Sequence, residues 1–232
     1  MFGANQLPLS LMSNSILKTT KDGSHTLFDE KTGEYFHSVF GAVQESEHIF
    51  IRAGLQSFVP TNHTLQVLEI GLGTGLNALL TLRYAEKEKI FIHYVGVEAF
   101  PLSLSVVKKL NYPEILQISR QRFEQLHDVH APSLIHPFFH IERVHTTFQE
   151  YAPLENRFQV VYFDAFSPGS QPEMWTEQGF KKLFNSLAPR GILVTYSCKG
   201  SVKRALKAAG FQIEKLPGPP GKREFLRAYA VK

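Results

Sequence analysis

The stretch Leu68-Glu69-Ile70-Gly71-Leu72-Gly73-Thr74-Gly75-Leu76-Asn77 constrains this chain more than any other. An apolar run from Leu65 to Ile70 stops at three glycines spaced two apart, and a segment with helical periodicity, Leu76 to Tyr84, begins directly after them. Glycine adopts backbone conformations closed to other residues and lets the main chain approach a ligand, while the first turn of a helix leaves N–H groups unpaired. A strand, a tight turn and a helix in that order make a nucleotide cradle. A second strand, Phe91 to Val97, follows at βαβ distance, which implies a parallel sheet covered by helices.

The spacing says which nucleotide. A dinucleotide fingerprint places its third glycine at position 76, where this chain has Leu76. The pattern instead favours the methyl-donor version of the turn, with Glu69 ahead of it and Glu98 closing the second strand, where an acid can accept hydrogen bonds from ribose hydroxyls. S-adenosyl-L-methionine carries a sulfonium cation, so a pocket holding Glu69, Glu98 and Asp164, with no phosphate-clamping lysine in the turn, suits it. An ordinary strand-to-helix loop is the competing reading of the glycines, and the joint presence of Glu69 and Glu98 weighs against it.

Further along, Phe158 to Phe163 is apolar on both faces, as in a central strand, and Gly191 to Tyr196 is similar. Phe211 to Leu216 and Phe225 to Val231 flank a Pro-Gly segment and predict an antiparallel hairpin at the sheet edge. The expected fold is α/β: a Rossmann-like, mostly parallel sheet with an antiparallel C-terminal edge hairpin. Residues 111–143, rich in His, Pro and Phe, show no clean period and are read as helix plus loop. The break at Pro60-Thr61-Asn62-His63 divides the chain into an N-terminal extension, 1–60, and the Rossmann-like domain, 61–232. Within the extension, turns are expected at Asp22-Gly23-Ser24 and Lys31-Thr32-Gly33, and a helix before Leu55.

Asp164 ends the most apolar strand, at the edge where open α/β sheets bind ligands. A carboxylate there can orient an incoming amine or take its proton as the nitrogen attacks a methyl carbon; an N-cap on the next turn is the structural alternative. Phe166 and Trp175 suit either core packing or stacking on a base.

The composition narrows the classes. With 43% hydrophobic residues in 232, the chain can bury one sizeable core. A formal charge of +4 permits an anionic partner without demonstrating one, and Lys199, Lys203, Arg204, Lys207, Lys215, Lys222 and Arg223 can meet phosphates if they share a face. Cys198 is the one cysteine, so an internal disulfide is excluded; the scattered histidines, with only a loose His127/His130 pair, predict no metal site. No run approaches the ~20 apolar residues of a membrane span and no signal-like start is present, which predicts a soluble, cytoplasmic protein.

Several ordered motifs go beyond the glycine turn: Asp22-Gly23-Ser24-His25-Thr26-Leu27, Glu34-Tyr35-Phe36-His37-Ser38 with Gly41-Ala42 and Glu45-Ser46, Asp164-Ala165-Phe166-Ser167-Pro168, and Pro172-Glu173-Met174-Trp175. Thr195-Tyr196-Ser197, Ala208-Ala209-Gly210-Phe211 and Pro217-Gly218 with Lys222-Arg223-Glu224 follow. Taken together, from about Asp22 to Ala228, the chain resembles the methyltransferase of the bacterial 5-methylaminomethyl-2-thiouridine pathway, in a stand-alone form lacking the FAD-dependent oxidase domain. The resemblance implies methylation of the aminomethyl group on the wobble uridine in the tRNA anticodon region, with S-adenosyl-L-methionine as donor and a separate FAD-dependent oxidase as a pathway partner.

Carried over by position, the resemblance assigns Glu69, Gly71, Gly73, Gly75, Asn77, Glu98 and Thr147 to the cofactor, and Asp164 with Phe166 to the modified base. It assigns Tyr35, His37, Ser38, Glu45, Ser46, Trp175, Lys222 and Arg223 to the substrate side. One departure stands out: where the family has Gly-Asp after its third strand, this chain has His145-Thr146-Thr147-Phe148, without the acid's charge near the adenine. Two other functions fit the residues, an aminopropyltransferase of the polyamine type and a non-catalytic nucleotide- or RNA-binding module.

Overall fold

The computed structural model describes residues 15–58, 63–131 and 133–232. The first element group is a small antiparallel sheet, β1 (Ser15–Thr19), β2 (His25–Asp29) and β3 (Glu34–Tyr35), in that spatial order. Next come α1 (Ala42–Ser46), its continuation as a π-helix (Glu47–Arg52), and a 3₁₀ turn (Leu55–Ser57). The remainder runs β4 (Thr64–Ile70), α2 (Leu76–Glu88), β5 (Phe91–Glu98), α3 (Leu104–Val107), α4 (Tyr112–Leu116), α5 (Arg120–His127), β6 (Leu134–His136) and β7 (Phe139–His145). It ends with β8 (Phe158–Phe163), α6 (Glu177–Ser186), β9 (Leu187–Thr195), α7 (Gly200–Ala208), β10 (Gln212–Pro217) and β11 (Glu224–Tyr229).

Side chains alternate across a strand, so a strand apolar at every position must be covered on both faces. In β8, Val160 and Tyr162 enter one core, with α2, α4, α5 and the π-helix, while Phe158, Val161 and Phe163 enter a second, with α6 and α7. β4 splits likewise, Leu65 and Val67 to the first core and Leu68 and Ile70 to the second. Among the described residues the main sheet has the order β10-β11-β9-β8-β4-β5-β7-β6, parallel from β9 through β7. The expected hairpin β10–β11 closes one edge and pairs antiparallel to β9. Between β8 and β4 the chain direction of the connections reverses, and ligands of such sheets bind beyond the strand C-termini at that point.

Residues 111–143 correct the sequence reading. Two helices are present, but two segments pair as strands: β7 lies parallel to β5, and β6 caps it antiparallel. The signal was the alternation Phe139-His140-Ile141-Glu142, with Phe139 and Ile141 buried and the polar residues turned outward; charges and histidines masked it. The expected boundary at Pro60-Thr61-Asn62 lies outside the described residues, as do the first fourteen residues.

The Asp22-Gly23-Ser24 turn has a long-range role. Asp22 Oδ2 accepts the Gln44 N–H at 3.0 Å, and Ser24 Oγ accepts the N–H groups of Ala42 and Val43 at 3.1 and 3.2 Å. The turn thus satisfies the orphan donors at the start of α1 from a distant stretch of chain. Partial burial acts to raise the Asp22 carboxyl, but the hydrogen bonds from Ser24, Gln44 and Thr20 hold it below its usual range. Among the described residues, no helix is long and apolar enough to cross a membrane.

Candidate active site

β4 ends at Ile70, and the chain turns through Gly71 at φ +90°. A Cβ there would fall 2.6 Å from the carbonyl oxygen of Asp164, a backbone atom that cannot swing aside. The glycine therefore lets the first turn and the end of β8 lie side by side, joined by the Asp164 N–H donating to Ile70 O at 3.0 Å. Two residues on, the Gly73 N–H donates to Glu98 Oε2 at 2.9 Å, while Glu98 Oε1 accepts the Phe100 N–H at 2.9 Å. Glu98 is thereby fixed across the mouth of the turn, with further lone pairs on both oxygens.

Asp164 is the polar centre of this floor. Its Oδ2 accepts Asn77 Nδ2 at 2.9 Å; the same amide donates to Glu69 Oε1 at 2.8 Å, and the Tyr94 hydroxyl donates to Glu69 Oε2 at 2.6 Å. Burial, reinforced by the nearby Glu45 charge, pushes the Asp164 carboxyl up to about 7 against the opposing pull of Asn77 and Lys222. Glu69 is fully buried, and that burial raises it well above the carboxylate range despite bonds from Tyr94 and Asn77. Glu69 thus braces the wall from behind, its two oxygens taken by Asn77 and Tyr94.

A cover of N-terminal residues faces this floor. Glu34 reaches over to accept the Ser167 N–H at 2.9 Å and the hydroxyls of Ser167 and Ser170. Burial acts to raise Glu34, yet these bonds and the Lys199 charge hold it below its ordinary value. His37 is buried, its Nε2 2.7 Å from Thr74 Oγ1, and burial lowers it to about 4, so it is neutral at ordinary pH. Glu45 Oε2 accepts the Ser38 N–H at 2.7 Å, and Glu45 Oε1 pairs with Lys222 Nζ at 3.2 Å. Lys222 also lies 4.5 Å over the Tyr196 ring, whose hydroxyl donates to Ala165 O at 2.9 Å. Phe36 packs edge-on against Phe166 at 5.0 Å.

Floor and cover enclose a cavity of about 1140 Å³. Drug-sized ligands occupy roughly 300–1,000 Å³, so there is room for a nucleoside and part of a second reactant. Its wall includes Tyr35, His37, Ser38, Glu45, Gly71, Gly73, Asn77, Glu98, Thr147, Asp164, Phe166 and Lys222, all singled out from sequence. Five other candidates stand off it. Glu69 lies behind Asn77, Gly75 precedes α2, and Ser46 is fully buried in α1. Arg223 is exposed, turned out beyond Lys222. Of the two alternatives left open for Trp175, the structure shows packing: only 6% exposed, it packs on Phe163 at 4.9 Å and donates to Phe166 O at 2.8 Å, a prop for the loop after β8. Glu34, Phe36 and Tyr196 are wall residues the sequence reading did not select.

The wall fits a cationic nucleoside donor. Glu34, Glu45, Glu98, Asp164 and Glu173 face only Lys31 and Lys222 among its acidic and basic side chains, a balance that suits a sulfonium and an amine and disfavours a pyrophosphate. Glu98 lies on this wall beside the glycine turn, with lone pairs that can accept from hydroxyl groups.

The comparisons agree with this geometry. A family model described as S-adenosyl-L-methionine-dependent methyltransferase matches residues 125–231. The tRNA 5-methylaminomethyl-2-thiouridine biosynthesis bifunctional protein MnmC of Ectopseudomonas mendocina is 31% identical over 209 residues, 84% of this chain and 32% of that protein. The protein of the same name from Leptospira borgpetersenii is 27% identical over 215 residues, 87% and 33%. The chain thus spans about a third of the length of the curated relatives it matches. Among solved structures, MnmC2 from Aquifex aeolicus superposes with a TM-score of 0.73 at 24% identity, covering 94% of this chain and 71% of its own. Spermidine synthase from Thermotoga maritima shares the fold at a TM-score of 0.52 and 15% identity, over 94% and 72%.

Proposed function

The chain belongs to the methyltransferase family of the 5-methylaminomethyl-2-thiouridine biosynthesis proteins, with S-adenosyl-L-methionine as methyl donor, and we propose that its acceptor is the primary amine of 5-aminomethyl-2-thiouridine at the tRNA wobble position. The observation that carries this reading is Asp164: a carboxyl raised to about 7, on the wall of a two-reactant cavity, beside the glycine turn.

The bound donor supplies an electrophilic methyl carbon on a sulfonium. The chain supplies alignment and proton handling. Gly71, Gly73 and Glu98 hold the nucleoside end, and Asn77 fixes Asp164 through its Nδ2. A primary amine is mostly protonated near neutral pH and cannot attack in that form. Asp164, with a pKa near 7, accepts an N–H of the incoming amine and keeps the attacking lone pair turned to the carbon. The amine would bind in its neutral form, its first proton left to solvent, and the secondary ammonium produced by transfer would pass a proton toward Asp164. Phe166 and Phe36 offer apolar faces to the modified base, and Lys222 balances the acids around it.

On this reading the N-terminal extension closes the site over the Rossmann-like domain through its described residues 31–45. The amine would be delivered by an FAD-dependent oxidase activity of the same pathway, in the cytoplasm.

The test is purified protein with labelled donor and tRNA carrying the unmethylated aminomethyl nucleoside. Digestion and mass analysis should show that nucleoside gaining one methyl group. A protein that binds donor yet leaves this tRNA unchanged, or that consumes the decarboxylated donor of polyamine synthesis instead, overturns the reading.

A further inference from the structure

A second concavity, of about 510 Å³, lies away from the cavity wall, between α7 and β10. We propose that it is a phosphate-binding groove that holds the sugar-phosphate backbone of RNA flanking the nucleotide in the active site; this rests on the tRNA reading above.

The sequence builds the groove by periodicity. In α7 the buried positions are Val202 and Leu206, and Lys203, Arg204 and Lys207 fall on the opposite side of the helix, which puts three cations along one face. In β10 the residues 213 and 215 point to the same side, so Ile213 forms the floor and Lys215 the far wall. Of these four cations Lys215 pairs with Glu224 at 3.0 Å, and Lys203 acts on the same carboxylate from farther off. Lys203, Arg204 and Lys207 have no ion-pair partner among the described residues. Three such charges in one concave strip repel one another unless an anion lies among them.

Continuity with the active site selects the anion. Lys199 is the residue just before α7, and its Nζ comes within 3.6 Å of the Cβ position of Gly169, which lines the catalytic cavity. The same lysine helps to hold Glu34 ionised at the cavity rim. From Lys199 the helix rises about 12 Å to Lys207. A basic track therefore starts at the cavity edge and leads away from it, as a strand with one nucleotide inserted in the site would require. Phosphate contacts of this kind position RNA without reading its sequence.

The test compares Lys203→Glu/Lys207→Glu with a control of equal charge change, Lys87→Glu/Lys89→Glu, at the far end of α2. Equilibrium binding of tRNA is measured from low to moderate salt, alongside donor binding by calorimetry and methylation kinetics. The groove variant should bind tRNA about tenfold or more weakly, with a salt slope shallower by about 0.7–0.9 for each phosphate that is no longer neutralised. Its donor affinity and its kcat at saturating tRNA should match the parent. The control should bind tRNA as the parent does. If the groove variant keeps both the parent tRNA affinity and the parent salt slope, the groove proposal is overturned while the tRNA reading survives. If the parent binds tRNA through the groove but does not methylate it, the acceptor assignment fails and the groove stands; if the parent binds no tRNA, both fall.

Discussion

The floor and the cover of the catalytic cavity are built by different means. The floor comes from strand ends: β4 and β8 lie parallel in register, Gly71 brings their ends together, and backbone bonds set the position of Asp164. The cover comes from residues 31–45, and a few side-chain bonds hold it in place: Glu34 to Ser167 and Ser170, His37 to Thr74, Glu45 to Lys222. A floor set by sheet register keeps its geometry when a side chain is changed, so damage there should fall on the chemical step. A cover set by polar side chains shifts when one bond is broken, so damage there should fall on acceptor binding.

The largest expected effect tests the floor. Asp164→Asn keeps the size and the contact with Asn77 but removes the proton acceptor, and turnover should fall by about 10²–10⁴-fold with donor affinity little changed. Single-turnover kinetics and calorimetry on the same sample separate the two. Retained turnover would remove Asp164 from the chemistry.

Next in size is an opposition in pH response. A carboxyl raised from 3.8 to about 7 binds a proton more readily in the folded state, so Asp164 costs stability progressively as pH rises from about 4 to about 7, and the full cost remains above that. His37, lowered from 6.5 to about 4, is the reverse: its contribution is whole above about 6.5 and is lost as pH falls through the window toward 4. His127, whose Nε2 lies 3.1 Å from Thr74 O, is also lowered to about 4 by burial and adds to the acid limb. Thermal melts of Asp164→Asn should therefore exceed the parent at pH 8 by about 1–3 kcal/mol and converge with it near pH 4. Parallel curves for parent and variant would show that the buried carboxyl carries no such cost.

A smaller effect tests the cover. Glu34→Gln keeps the length but puts an amide donor against the Ser167 N–H and removes the charge that Lys199 balances. About 1–2 kcal/mol of clasp should be lost, read as roughly a tenfold rise in KM for tRNA with kcat nearly intact. An equal fall in kcat with no change in KM would mean that the cover takes part in the chemical step.

The same contrast explains what was legible in the sequence. The turn from β4 into α2, the two-faced strand β8 and the edge hairpin are local patterns, set by neighbours within about ten residues, and they emerge where expected. Asp164 was legible because it ends an apolar run. Glu34 was not, since its partners Ser167 and Ser170 are 133 and 136 residues away and no spacing encodes that meeting. The setting of Glu69 was not legible, since its burial beneath Tyr94 and Asn77 is something only packing reveals. Trp175 was left open between core packing and stacking because exposure cannot be read from residue type.

The smallest effect concerns Thr147, where relatives of this family are expected to carry an acid. The Thr147 hydroxyl donates to Glu150 Oε2 at 2.9 Å, and Thr146 donates to the same atom at 3.4 Å, so a carboxylate stands next to this position although the residue itself is neutral. A charge three residues on, in solvent, contributes little, about 0.5 kcal/mol. Thr147→Asp would set two carboxylates against each other, and donor affinity should change by less than about threefold. Adding Glu150→Gln relieves the repulsion, so the double variant should bind donor better than either single variant, a non-additive result that calorimetry can resolve. If Thr147→Asp alone tightened donor binding tenfold and Glu150→Gln changed nothing, Glu150 would have no part in balancing the donor, and the floor would lack an acid at this end.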